Sequence, residues 1–189
     1  MRAVMLSINP VFCMKILNRE KRLEFRTRIP KLELPYKCYI YCTQPHNYQE
    51  RLWILNDRER RHTKPIAKMF GAKEVGGAFL GNGKVIAEFT CDYVLGHCEM
   101  ANADIAEQQG KMKREDILKY SKGKEVFGLS IFDLRIYKEQ NEITEFYKAC
   151  NKPPFYDCAK CADYGEQTCF ALKRPPQNWC YVERKEREK

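Results

Sequence analysis

Apolar and polar positions along the chain mark out its elements. "AVMLSI" (3–8) is a short, nearly continuous apolar run and predicts a buried strand. Asn9-Pro10 predicts a helix start, because Asn can cap free N–H groups and Pro is tolerated in the first turn. Phe12, Ile16 and Leu17 give that helix an apolar stripe, and Asn18 is placed to end it in a left-handed conformation. "KRLEFRTRI" (21–29) then alternates with period two. Leu23, Phe25 and Ile29 share one face; Arg22, Glu24, Arg26 and Arg28 share the other.

Further along, "KCYIYCTQP" (37–45) predicts a strand ended by proline. Residues 46–76 read as a basic insertion with helical character, lying between two strands. "GNG" is a turn signal before the strand "KVIAEFTCDYVLG" (84–96). Residues 102–122 predict helix with a break at Gly110. "EVFGLSIFDLRIY" (125–137) is a long strand whose two parities are both apolar, which predicts a bend or two-sided burial. "EITEFYKAC" suggests a short helix and "NWCYVE" (178–183) a closing strand. Five or six strands interrupted by helices, without repeats or regular βαβ units, predict an α+β domain: a small mixed β-barrel flanked by helices. The expectation is a single domain over residues 1–189, with 46–76 inserted and a Cys-containing loop at 150–180 leading to the last strand.

Composition narrows the class. With 44% hydrophobic and 31% charged residues, the 189-residue chain reads as globular rather than disordered. No apolar run approaches the ~20 residues of a membrane helix, and "MRAVMLSINP" lacks a secretory h-region, so a cytoplasmic location is expected. A net charge of +9 favours polyanionic partners. In the insertion, Arg58, Arg60 and Arg61 lie near Trp53 and Phe70, an arrangement suited to single-stranded nucleic acid; a solvated face with Trp53 docked on the barrel is the other reading.

Ten cysteines in a reducing compartment point to thiols or metal ligands rather than disulfides. Cys158, Cys161, Cys169 and Cys180 follow C-x2-C-x7-C-x10-C, within reach of a tetrahedral zinc ion, with Cys150 an alternative fourth ligand and plain thiols the alternative to metal. Cys13, Cys38, Cys42, Cys91 and Cys98 sit in apolar segments and read as core.

Lys21, Glu24 and Arg26 form a concentrated group of charges in "NREKRLEFR". Their spacing resembles G-x-K-x-x-[E/T]-x-R, the signature of the ASCH domain in the PUA-like superfamily. The blocks "AVMLSINP", "TRIPKLELPYKCYIYCTQ", "GKVIAEFTCD", "LSIFDLRIYKEQNEITEFYK" and "RPPQNWCYVE" also look like those of phage-associated and bacterial ASCH proteins. Asn18 is taken for the motif's glycine, and Leu129-Ser130 stand where an aromatic and a histidine are often found. The resemblance implies a small β-barrel with a cleft beside the first helix, facing RNA or a nucleotide base.

Some ASCH proteins are similar to an amidohydrolase that deacetylates N4-acetylcytidine with a lysine, a threonine and a helix-borne glutamate. That comparison assigns Lys21 to the lysine, Glu24 to the threonine position and Glu107 to the glutamate. Glu24 has no hydroxyl to attack a carbonyl, so the expectation is a binding module for RNA or a modified nucleotide. Glu24 would accept from an exocyclic amine, while Arg26 and Lys21 would hold base or phosphate. An amidohydrolase or nuclease at the same cleft and a protein-interaction module are the alternatives.

Overall fold

The computed structural model describes residues 2–44, 51–55, 66–70, 77–148 and 171–184. The chain opens with β1 (Ala3–Ile8), α1 (Pro10–Leu17), β2 (Leu23–Arg26) and β3 (Tyr36–Cys42). Three short strands follow: β4 (Arg51–Leu55), β5 (Ala67–Phe70) and β6 (Ala78–Leu80). Next come β7 (Val85–Cys91), β8 (Val94–Leu95), α2 (Ala103–Gly110) and α3 (Arg114–Ser121). β9 (Phe127–Ser130), β10 (Phe132–Asn141), a 3-10 turn (Ile143–Glu145), β11 (Phe146–Lys148) and β12 (Trp179–Arg184) complete it.

Six strands form the main sheet in the order β10-β7-β3-β1-β12-β11. The apolar β1 sits between β3, its parallel partner, and β12, its antiparallel partner. Asn9 caps α1 as the sequence predicts, its Oδ1 accepting from the Val11 N–H at 2.9 Å with Pro10 in the first turn. Leu6, Ile8, Ile40 and Phe89 bury one side of the sheet with Ile16 and Leu17 of α1. Met5, Tyr39, Val85, Phe146 and Val182 bury the other. The five cysteines expected in the core are all buried free thiols.

The expected barrel is a curled, open sheet. Only residues 142–145 join β10 to β11, which stand at opposite ends of the sheet order. Such a link reaches about 17 Å, whereas five flat interstrand steps would need about 24 Å. The edges must therefore approach. Arg184 of β12 bridges them, donating to the Tyr137 hydroxyl at 3.2 Å and Asn141 Oδ1 at 2.7 Å, both on β10. Among the described residues no backbone ladder joins the two edges, so side chains provide the bridge.

A second sheet, β2-β9-β8, continues the β7–β10 ribbon beyond a bend. The long strand expected over 125–137 breaks at Ile131, and Asp133 takes a left-handed φ of 45°. Ser130 Oγ holds the bend. It accepts from the Asp92 and Tyr93 N–H groups at 3.0 Å each and donates to Asp92 Oδ1 at 2.5 Å. Leu23, Phe25, Ala106, Ile117 and Val126 form the small core beneath α2 and α3.

The described parts of 46–76 are strands, not helix. β4, β5 and β6 form a third sheet, and Leu52, Ile54 and Ala67 join the core against α1. Burying "RLWIL" on both faces of β4 favours an extended chain over a one-sided helix. The helix expected at "EITEFYKAC" is also replaced: after one 3-10 turn, Phe146 enters the ladder opposite Arg184 and packs edge-on to Tyr39.

Candidate functional site

The site begins where α1 stops. The Arg19 N–H donates to Ile16 O and the Glu20 N–H to Lys15 O, both at 2.9 Å, which is a Schellman ending. Its left-handed residue is Arg19 (φ 61°), whereas Asn18 keeps φ −79°. This corrects the role expected of Asn18; the spacing G-x-K, counted back from Lys21, likewise puts the motif's glycine at Arg19. The Asn18 amide instead acts like a strand partner, donating from Nδ2 to Ala67 O and accepting at Oδ1 from the Ala67 N–H, both at 2.9 Å. Asn18 thereby fastens the third sheet to the end of α1.

Beyond that ending, Lys21, Glu24 and Arg26 meet. Lys21 Nζ lies 3.6 Å from Glu24 Oε2, and Arg26 Nη1 donates to Glu24 Oε1 at 2.5 Å. Nη1 also donates to Phe25 O at 2.7 Å and Nη2 to Ser7 O at 2.9 Å. Arg26 Nε is buried without a hydrogen-bond partner among the described residues. The residues are only 2%, 4% and 6% exposed, respectively. The period-two pattern placed Glu24 and Arg26 on a face that could be solvated, and they are not. β2 is covered on both sides, by the small core under α2 and by the Ser7 end of β1. Arg22 and Arg28 on the same parity do remain exposed.

Lys21 donates to Gly110 O at 2.8 Å, and its Nζ lies 4.4 Å from the Phe25 ring centroid and 5.1 Å from that of Phe12. Burial lowers its pKa; the Arg26 charge acts in the same direction, and the Glu24 carboxylate opposes both. With all three ionised, the group holds two cations against one carboxylate. That uncompensated charge suits an anionic or strongly hydrogen-bond-accepting ligand.

Several contributors carried no sequence signal for the part they play here. Gly110 reads as a helix breaker, yet the left-handed position falls on Lys111 (φ 51°). Glycine is required at 110 by proximity: an added Cβ would sit 2.1 Å from the Phe25 ring. The Tyr120 hydroxyl of α3 donates to Phe25 O at 3.2 Å, tying that helix to the motif strand. Lys15 donates to Lys111 O at 3.0 Å and lies 5.8 Å from the Phe12 ring centroid, forming with Phe12 a half-buried rim over the charges.

Glu107 is exposed on α2, off the Ala103–Ala106–Gly110 stripe that packs inward, and makes no ion pair with Lys21 among the described residues. Arg58, Arg60, Arg61, Cys150, Cys158, Cys161 and Cys169 lie outside the described residues. Trp53 is buried in β4, its indole N–H without a partner among the described residues. Cys180 is a half-buried thiol opposite Met5 in the β1–β12 ladder, its pKa raised by burial to about 11.

A solved ASCH structure from Zymomonas mobilis, a serine-to-alanine variant, superposes with a TM-score of 0.54, covering 96% of this chain and 88% of that one at 14% identity. The fold is the ASCH fold. The unsubstituted Zymomonas mobilis ASCH structure and a tyrosine-to-phenylalanine variant align with TM-scores of 0.49 over 75% of this chain, at 15% and 14% identity. No family model and no curated protein matches the sequence. Among the described residues, no helix is long and apolar enough to cross a membrane.

Proposed function

We propose that the protein binds RNA or a modified nucleotide, with the Lys21–Glu24–Arg26 group taking the base or its phosphate. The supporting observation is the group's excess positive charge, held out of water with Arg26 Nε unpartnered among the described residues. A network that existed only for stability would gain little from carrying a second buried cation. A ligand reaches the group by displacing Lys15 from Lys111 O. Phe12 then offers a stacking face, Glu24 accepts from an exocyclic amine, and Arg26 Nε donates to a ligand oxygen.

The test is equilibrium binding of nucleosides, nucleotides and short RNAs. Lys21→Ala and Arg26→Lys should each weaken binding at least tenfold while the fold is retained by circular dichroism. Unchanged affinity in both would remove the site from the reading.

One observation favours a second reading as an amidohydrolase. A lysine held below its ordinary pKa, 3.6 Å from a carboxylate, can serve as a general base. Glu24 has no hydroxyl, so the nucleophile would be water. Release of acetate from N4-acetylcytidine, abolished by Lys21→Ala, would establish this reading over simple binding.

We further propose structural zinc at Cys158, Cys161, Cys169 and Cys180. Stoichiometric zinc in the purified protein, lost in Cys161→Ser, is the expected result.

A further inference from the structure

The helix pair beside the site carries charge that neither the motif nor the core requires. Between the end of α2 and the residues after α3, Lys111, Lys113, Arg114, Lys119, Lys122 and Lys124 are all exposed. The acidic residues among them are Glu115 and Asp116 in the first turn of α3, and Asp116 is 3.8 Å from Lys119. Glu125, immediately beyond, faces His97 instead. Lys113, Arg114, Lys122 and Lys124 enter no ion pair among the described residues.

Helix stability accounts for Lys119 and Lys122, which stand in the last turn and at the C-cap of α3 where cations favour the dipole, but not for Lys113 and Arg114 at its start. Lys113 occupies the N-cap of α3 with no side-chain capping bond, where Ser, Thr, Asp or Asn would be favoured. Cations there also oppose the helix dipole. The inward stripe, Ile117 with Tyr120 and Ser121, fixes the helix against β2 and leaves the basic residues outside.

The strip is continuous with the candidate site at three points. Gly110 O accepts from Lys21, Lys111 O accepts from Lys15, and the Tyr120 hydroxyl donates to Phe25 O between Glu24 and Arg26. From Lys113 to Lys122 the backbone rises about 13 Å, so the charges extend well past a single nucleotide.

We propose that this strip is the track for the phosphate backbone of a single-stranded RNA one of whose nucleotides enters the Lys21–Glu24–Arg26 group. The inference rests on the reading of that group as a nucleotide site and names its ligand as a strand rather than a free nucleoside. Charge complementarity and continuity with the site select that occupant.

The experiment compares full-length protein with two triple variants of equal charge loss. One is Lys113→Gln/Arg114→Gln/Lys122→Gln on the strip. The other is Lys31→Gln/Lys173→Gln/Arg174→Gln, at exposed positions on the β2–β3 connection and before β12. Binding of a 10-nucleotide single-stranded RNA is measured from 50 to 300 mM salt. Each phosphate contact on a single strand contributes about 0.7 to the slope of log K against log salt. The strip variant should flatten that slope by about 1–2 and weaken binding on the order of tenfold or more, whereas the control variant should not. Equal slopes and affinities for both variants would overturn the track, as would wild-type protein that binds no single-stranded RNA.

Lys21→Ala and a mononucleotide separate the two readings. Strand binding that depends on the strip but ignores Lys21→Ala sustains the track and sinks the nucleotide site. Mononucleotide binding that needs Lys21, with strand binding indifferent to the strip variant, does the reverse. Tighter binding of a duplex of the same length would overturn the single-strand assignment.

Discussion

Two charged networks in this molecule use the same residue types for different ends. At the edges of the curled sheet, Arg184 reaches Tyr137 and Asn141, the Tyr137 hydroxyl donates to Glu88 Oε2 at 2.9 Å, and Lys37 donates to Glu88 Oε1 at 3.1 Å. That network stays partly in water, with the Lys37 side chain 43% exposed. Below α1, Lys21, Glu24 and Arg26 are almost fully removed from water, one guanidinium nitrogen is unpartnered among the described residues and burial lowers the pKa of the lysine. The first arrangement ties strands together at little electrostatic cost. The second retains charge where charge is expensive, which is a common mark of a functional position.

The contrast is open to experiment. Glu24→Gln should have the largest effect, about 3–5 kcal/mol in urea unfolding, because it leaves two buried cations without their anion. Glu88→Gln in the partly hydrated network should cost about 1 kcal/mol. Comparable losses in the two variants would end the distinction.

Gly110→Ala comes next, at roughly 2–3 kcal/mol, since its methyl would meet the Phe25 ring. Pairing it with Phe25→Leu should recover part of that loss; additive effects would show that proximity is not the reason for glycine.

Asn18→Ala should cost about 1–2 kcal/mol through its two bonds to Ala67, with faster amide exchange in β5 as the local readout.

The pH dependence is the smallest effect. Burial holds the Lys21 pKa in the folded chain below the ordinary lysine value. As pH rises toward that value, the folded chain releases a proton that the unfolded chain still holds, so stability increases with pH across this window. Lys21→Met should remove that increment, seen as a flatter pH profile of Tm. An unchanged profile would place the lysine in an ordinary aqueous setting.

Much of the site was legible because its residues are close in sequence. Lys21, Glu24 and Arg26 span six positions, so the resemblance to a known motif was enough to nominate them as a group. Asn9-Pro10, the core cysteines, the α2–α3 pair and the closing strand were local in the same way. Features set by distant partners were not legible. Burial of Glu24 depends on what covers β2 from both sides, and period two alone says nothing of a second cover. The strand character of β4 and β5 comes from packing against α1, and Phe146 is extended because β12 offers it a ladder. Gly110 was read correctly as a break, but the ring that excludes a side chain there belongs to residue 25. Asn18 looked like a turn former because its partner, Ala67, is 49 positions away.

The place of β1 between β3 and β12 also bears on how the chain must be made. β1 is synthesised well before one of its two neighbours, since Met5 pairs opposite Cys180. Until β12 emerges, that flank of β1 offers unpaired amides and carbonyls to any passing strand. The chain is therefore exposed to self-association over that interval, and chaperone dependence should ease when β12 is transplanted ahead of β1 in a circularly permuted chain.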